Sequence, residues 1–100
     1  MSDKAQPNSI QPLRDAKEYL AAAWASDIDL TAVAQSPEGH AARLIRVEAV
    51  GASPQLDIVL EGNPGVTRSF TLVGAGWELV GEIRTIKSTT ANITGVTVGW

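Results

Sequence analysis

From Asp27 to the end of the chain, apolar residues recur at every second position, and that period constrains the fold more than any other feature. Successive side chains of an extended strand point to opposite faces, whereas a helix repeats near every 3.6 residues. Ile28, Leu30, Ala32 and Ala34 alternate with Asp29, Thr31 and Val33. Ile45, Val47 and Ala49 alternate with Arg46 and Glu48, and Leu56, Ile58 and Leu60 alternate with Asp57 and Glu61. Each run predicts a strand with one face buried. Further on, Phe70 and Leu72 alternate with Ser69 and Thr71; Trp77, Leu79 and Ile83 share a face of residues 77–87; and Thr94, Val96, Val98 and Trp100 share a face of the final run.

The turn-forming segments SPEG (36–39), GASP (51–54), EGNPG (61–65) and GAG (74–76) punctuate these runs at the spacing hairpins require. The expected fold is all-β: a small antiparallel β-sandwich or barrel of about six strands, over residues 25–100. Helices between strands and continuous apolar runs, the marks of a parallel α/β sheet, are missing, and there is no internal repeat.

Residues 1–24 follow a different pattern. Pro7 and Pro12 stand among Ser, Asn, Gln and Asp, which predicts an extended N-terminal arm over 1–12. The stretch LRDAKEYLAAAW (13–24) is rich in strong helix formers, with Leu13, Ala16, Tyr19, Leu20 and Ala23 near one face. It predicts one short helix that needs a surface to lie against, because isolated helices of about twelve residues are marginal in water.

At 100 residues the chain makes one domain with a thin core, so a partner can supply missing burial. Eight basic and eleven acidic residues leave a net charge of −3 without a run of either sign, which argues against nucleic-acid binding. The polar start MSDKAQP and the lack of an eighteen-residue apolar run predict neither a secretory signal nor a membrane span. No Cys is present to form a disulfide or a thiolate metal site.

Catalytic constellations are not evident. His40 sits in the turn-like SPEGHAA without a G-x-S-x-G nucleophile setting, and reads as a solvated loop histidine. Asp27 and Asp29 could begin a divalent-cation site, but such a site needs about six oxygens and the neighbours offer few. These two, like the pairs Asp57/Glu61 and Glu78/Glu82, read as the polar outer faces of strands. GAG lacks the third glycine of a dinucleotide fingerprint and the Lys-Ser or Lys-Thr of a P-loop. Asn92-Ile93-Thr94 matches a glycosylation acceptor, a tripeptide common by chance. No catalytic residue, cofactor or metal is therefore expected. The distinctive side chains are Trp24, Trp77 and Trp100, which with Tyr19 and Leu20 form the candidate interface set.

Val47, Val50, Gly51 and Ala52, then Leu56, Ile58 and Leu60, then Phe70, Val73, Ala75, Gly76 and Leu79, then Arg84 and Ile86, and finally Thr89, Thr90, Ile93, Thr94, Gly95 and Trp100 follow one another in a telling order. In that order the segment 44–100 resembles the spike-base proteins of tailed bacteriophages and gene-transfer agents. The resemblance implies a structural virion protein, either a spike base or a head-decoration protein. It would be assembled in the host cytoplasm, oligomerise as a trimer or pentamer on the major capsid protein, and support a spike or fibre. The alternative expectation, from residue types alone, is a carbohydrate-binding or adhesion module in which Trp24 or Trp77 stacks on sugars.

Overall fold

The computed structural model describes residues 15–36 and 39–100. The arm expected over 1–12 lies outside the described residues, as do Leu13, Arg14, Pro37 and Glu38. The strands are β1 Ala16–Leu20, β2 Ile28–Asp29, β3 Ala42–Leu60, β4 Thr67–Thr71, β5 Glu78–Ile86 and β6 Ala91–Gly99, with a 3-10 helix, Ala21–Trp24, after β1. They form one antiparallel sheet curled into a half-barrel, in the order β1-β6-β3-β5-β2 with β4 also on β3.

The 19-residue β3 organises the molecule. Its first half pairs with β6, from Leu44 opposite Gly99 to Val50 opposite Ile93, and with β5, from Ala42 opposite Ile83 to Arg46 opposite Glu78. Its second half pairs with β4, from Gln55 opposite Thr71 to Val59 opposite Thr67. That half meets β5 again, from Ile58 opposite Ile86 to Leu60 opposite Ile83. Ile83 is thus a partner of both Ala42 and Leu60, and the two ends of β3 face each other across β5.

A single strand can do this only by bending. Ser53 (φ 52°) and Asn92 (φ 60°), the two non-glycine residues with positive φ among those described, supply the bend from adjacent strands. The Asn92 side-chain amide donates to the Ser53 carbonyl at 3.3 Å and ties the two distortions together. Inside the curl lie Trp24, Leu30, Ile45, Val47, Leu56, Ile58, Ile83, Ile86, Ile93, Val96, Val98 and Trp100, all buried.

The all-β expectation holds, and several finer expectations need correction. Residues 16–20, expected within a helix, are an edge strand, because β6 offers an open edge and the ladder from Ala16 opposite Gly99 to Leu20 opposite Gly95 satisfies the backbone of both. Only Ala21–Trp24 coils, as 3-10. The strand expected through Ala34 stops at Asp29, whose carboxylate accepts from the Thr31 amide and hydroxyl at 2.9 and 2.6 Å and turns the chain. GASP is no turn: it lies within β3, at the bend. GAG joins β4 to β5, which both lie against β3 and do not pair with each other. EGNPG does connect a hairpin, β3–β4.

Register shifts on either side of the Ala49–Gly95 pair change the phase of both strands. Ala49 and Thr94, expected inside, are exposed, and Ile93 is buried instead. Ile86 is fully buried between β2 and the second half of β3, whereas Val80 on the same strand points outward.

The GAG turn offers a test of backbone geometry. Gly76 (φ +93°) donates its N–H to the Val47 carbonyl at 2.7 Å, and Gly74 carries no such φ. A side chain would meet no atom within 4 Å at either position, so only conformation distinguishes them. Gly76→Ala is expected to cost about 1–2 kcal/mol and Gly74→Ala to be near neutral, as measured by urea denaturation.

Candidate interaction surface

The candidate residues separate into a buried pair, Trp24 and Trp100, a half-buried pair packed against the core, Tyr19 and Trp77, and the exposed Leu20. Trp24 and Trp100 belong to the core, at 5% and 3% exposure. Trp100 follows β6, donates its indole N–H to the Leu30 carbonyl at 3.0 Å, and has the Lys17 ammonium 6.0 Å from its ring centroid. Tyr19, on the inner face of β1 opposite Val96, is half-buried and its hydroxyl donates to Gln35 Oε1 at 2.6 Å. Burial, then the charge of Asp15, raises its pKa above the ordinary phenol value. The structure therefore does not bring the three tryptophans, Tyr19 and Leu20 to one surface.

Leu20 has the other fate. It stands opposite Gly95 on the outside of the sheet and is 63% exposed. A Cβ at Gly95 would lie 3.8 Å from Leu20 Cδ2 and 3.9 Å from the Ala49 methyl, so Leu20 leans across bare backbone toward Ala49. Ala21, Ala22 and Ala23 continue the chain, all exposed, and residues 20–26 carry no charge. Residues 30–36 are uncharged too, include the exposed Val33, and are tied to β1 by the Lys17 ammonium on the Ala34 carbonyl at 3.0 Å.

Beyond that apolar corner the same outer face is polar. Arg46 meets Glu78 at 3.2 Å and Glu48 at 3.4 Å, and the Thr97 hydroxyl donates to Glu48 at 2.9 Å. These exposed pairs add at most about 1 kcal/mol each, but they keep the middle of the sheet hydrated. The exposed aliphatic side chains Val33, Val66, Val73 and Val80 are absent from the candidate set read from the sequence. Val33 occupied the polar phase of its run, which was a usable signal; Val66 and Val73 fall outside the strands, where alternation says nothing.

Trp77, just before β5, is half-buried and its ring packs on Phe70 with centroids 5.1 Å apart and planes tilted by 45°. Its carbonyl accepts from the Val47 N–H at 2.8 Å, so the aromatic pair is anchored to β3.

The chemically loaded groups serve the fold. Asp27 accepts from the Lys87 ammonium and the Ser88 N–H, both at 2.8 Å, and these bonds hold its carboxyl below the ordinary value. The Thr31 hydroxyl and amide do the same for Asp29. Asp57, expected on the polar outer face, is instead buried at 4% exposure, because the 87–90 turn and Ser69 of β4 cover it. Burial pushes its pKa up, but donors from Thr89, Ser69 and Gln55 outweigh that, and the carboxyl titrates below its usual value. His40 is exposed, and its backbone N–H donates to the buried Ser36 hydroxyl at 2.9 Å. Asn92 of the glycosylation-like tripeptide is exposed and spends its side-chain amide on the bend. Among the described residues no three His, Asp or Glu side chains are grouped to hold a metal ion, and no helix is long and apolar enough to cross a membrane.

No family model, no curated protein and no solved structure matches the chain.

Proposed function

We propose that this protein is a non-enzymatic structural module that assembles with copies of itself on a larger particle. The observation that carries the reading is the uncharged corner around Leu20: a large aliphatic side chain leaning over Gly95 toward Ala49, followed by three exposed alanines, at the margin of a face otherwise laced with ion pairs. Apolar surface rimmed by polar groups is what subunit contacts use. The order of motifs over 44–100 supplies the particle: a bacteriophage virion, where the protein would act as a spike base or head-decoration protein on the major capsid protein, as a trimer or pentamer.

Light scattering after size-exclusion chromatography tests the assembly. A closed homo-oligomer is expected at micromolar concentration, and Leu20→Glu should shift it toward monomer while changing the melting temperature of the protomer little, since Leu20 lies outside the core. A monomeric wild-type protein, or an oligomer indifferent to Leu20→Glu, overturns the reading of this corner.

The half-exposed Trp77 favours a second reading, sugar binding, which the burial of Trp24 narrows to the Phe70–Trp77 pair. A tilted pair is a poorer platform for a flat pyranose face than a single open ring. Quenching of tryptophan fluorescence by added oligosaccharide, abolished in Trp77→Ala, would move the assignment to that class.

A further inference from the structure

The connection between β5 and β6, Lys87-Ser88-Thr89-Thr90, contains no apolar side chain, yet every one of its residues is bonded to an aspartate. The Lys87 backbone N–H donates to the Asp57 carbonyl at 2.8 Å, and the Lys87 ammonium to the Asp27 carboxylate at 2.8 Å. The Ser88 N–H donates to the other oxygen of Asp27 at 2.8 Å. The Thr89 hydroxyl donates to the Asp57 carboxylate at 2.5 Å, and the Asp57 N–H donates to the Thr90 hydroxyl at 3.0 Å. The Asp57 carboxylate is braced from its own strand by the Gln55 amide at 3.1 Å, and from β4 by the Ser69 hydroxyl.

We propose that residues 87–90 form an acid-released latch: protonation of Asp57 and Asp27 frees the turn from β3 while the remaining sheet stays folded, opening the seam where β5 passes into β6. The physical basis is the division of labour along the chain. Ile86 and Ile93 flank the turn and are buried, so the strands are held by apolar contacts that do not titrate. The turn itself is held by hydrogen bonds, those to the two carboxylates being the ones that weaken when the acceptor loses its charge. Segments with few apolar contacts open locally well below the free energy of global unfolding.

The surrounding charges do not alter the sign. Arg68 on β4 neighbours Ser69; Glu82 and Arg84 lie on β5, with Arg84 engaged by Glu61 at 3.0 Å; Asp29 on β2 is bonded to Thr31; Lys87 is the cation bonded to Asp27; and β6 carries no ionisable side chain. Both latch carboxyls titrate below their ordinary value in the folded protein. Their contribution is therefore complete above the unfolded-state value, near 3.9, and is lost as pH falls through the lower folded values.

Amide hydrogen exchange of the full chain, followed by NMR from pH 6 to pH 2.5 and normalised for intrinsic rates, tests the latch. The amides of Lys87, Ser88 and Asp57 are expected to lose about tenfold or more in protection below about pH 4, while Val47, bonded to the Trp77 carbonyl, keeps its own. Asp27→Asn should remove the Ser88 part of this pH step, and Asp57→Asn the rest. Should Asp57→Asn fail to fold, Thr89→Val, which removes the hydroxyl donor alone, is expected to lower latch protection at pH 6 and shrink the step. Loss of protection at Val47 together with Lys87 and Ser88, or protection at 87–90 that does not depend on pH, overturns the proposal.

Discussion

Replacing Trp100 with alanine is expected to destabilise the protein by on the order of 3–5 kcal/mol, as large-to-small aromatic substitutions in cores do. The ring is 3% exposed and sits among Leu30, Ile45 and Val98 in the same buried cluster. Two polar ties add to its packing: the indole N–H on the Leu30 carbonyl at 3.0 Å, and the Trp100 backbone N–H on the Asp15 carbonyl at 2.8 Å. The first holds the turn after β2 and the second holds the start of β1, so one residue closes both outer strands onto the sheet. Trp100→Phe separates the contributions. It keeps most of the apolar volume but strands a carbonyl, and should cost about 1–3 kcal/mol. For a domain of this size each kcal/mol lowers the melting temperature by about 4–8 °C, so thermal denaturation resolves both variants. A melting temperature unmoved by Trp100→Ala would refute the burial of the ring.

Trp100 was legible in the sequence because Val96 and Val98 precede it in phase, and alternation is a direct imprint of a sheet with one buried face. The same signal located both halves of β3, from Ile45 and Val47 to Leu56 and Ile58. It could not say that they are one strand. Gly51, Ser53 and Pro54 look like a turn because the backbone there does need unusual torsions, and those torsions bend a continuous strand as readily as they reverse a chain. What decides between the outcomes is pairing with β6 and β4 on either side of the bend, which is non-local information.

Residues 16–20 failed for a related reason. Ala, Lys, Glu and Leu prefer a helix by a few tenths of a kcal/mol each, and an open edge on β6 outweighs that preference through backbone hydrogen bonds. Among the interface candidates, residue type pointed to tryptophan, yet two of the three rings are interior and the exposed apolar corner is built from Leu20 and small alanines. Their exposure follows from which edge β1 occupies, and no local pattern encodes that.

Asp57 marks the limit of alternation most sharply, and Asp57→Ala is expected to cost on the order of 3 kcal/mol near neutral pH. By phase it belongs outside, but the second half of β3 is covered on its outer side by residues 87–90, so 56–59 are all buried. A carboxylate in that position is tolerated because Thr89, Gln55 and Ser69 donate to it, and each hydrogen bond to a charged acceptor contributes about 1.5–3 kcal/mol before the cost of burying the charge. Alanine removes the acceptor and leaves those donors to find water at a closed seam. The pH dependence identifies the cause. Because the folded-state carboxyl titrates below its unfolded value, wild-type stability should fall as pH drops below about 4, and Asp57→Ala should lack that part of the slope. Denaturant titrations of the two proteins at pH 7 and pH 2.5 are therefore expected to show a difference that narrows in acid. A difference constant across that range would mean that Asp57 contributes by filling space, and that its charge is incidental to the fold.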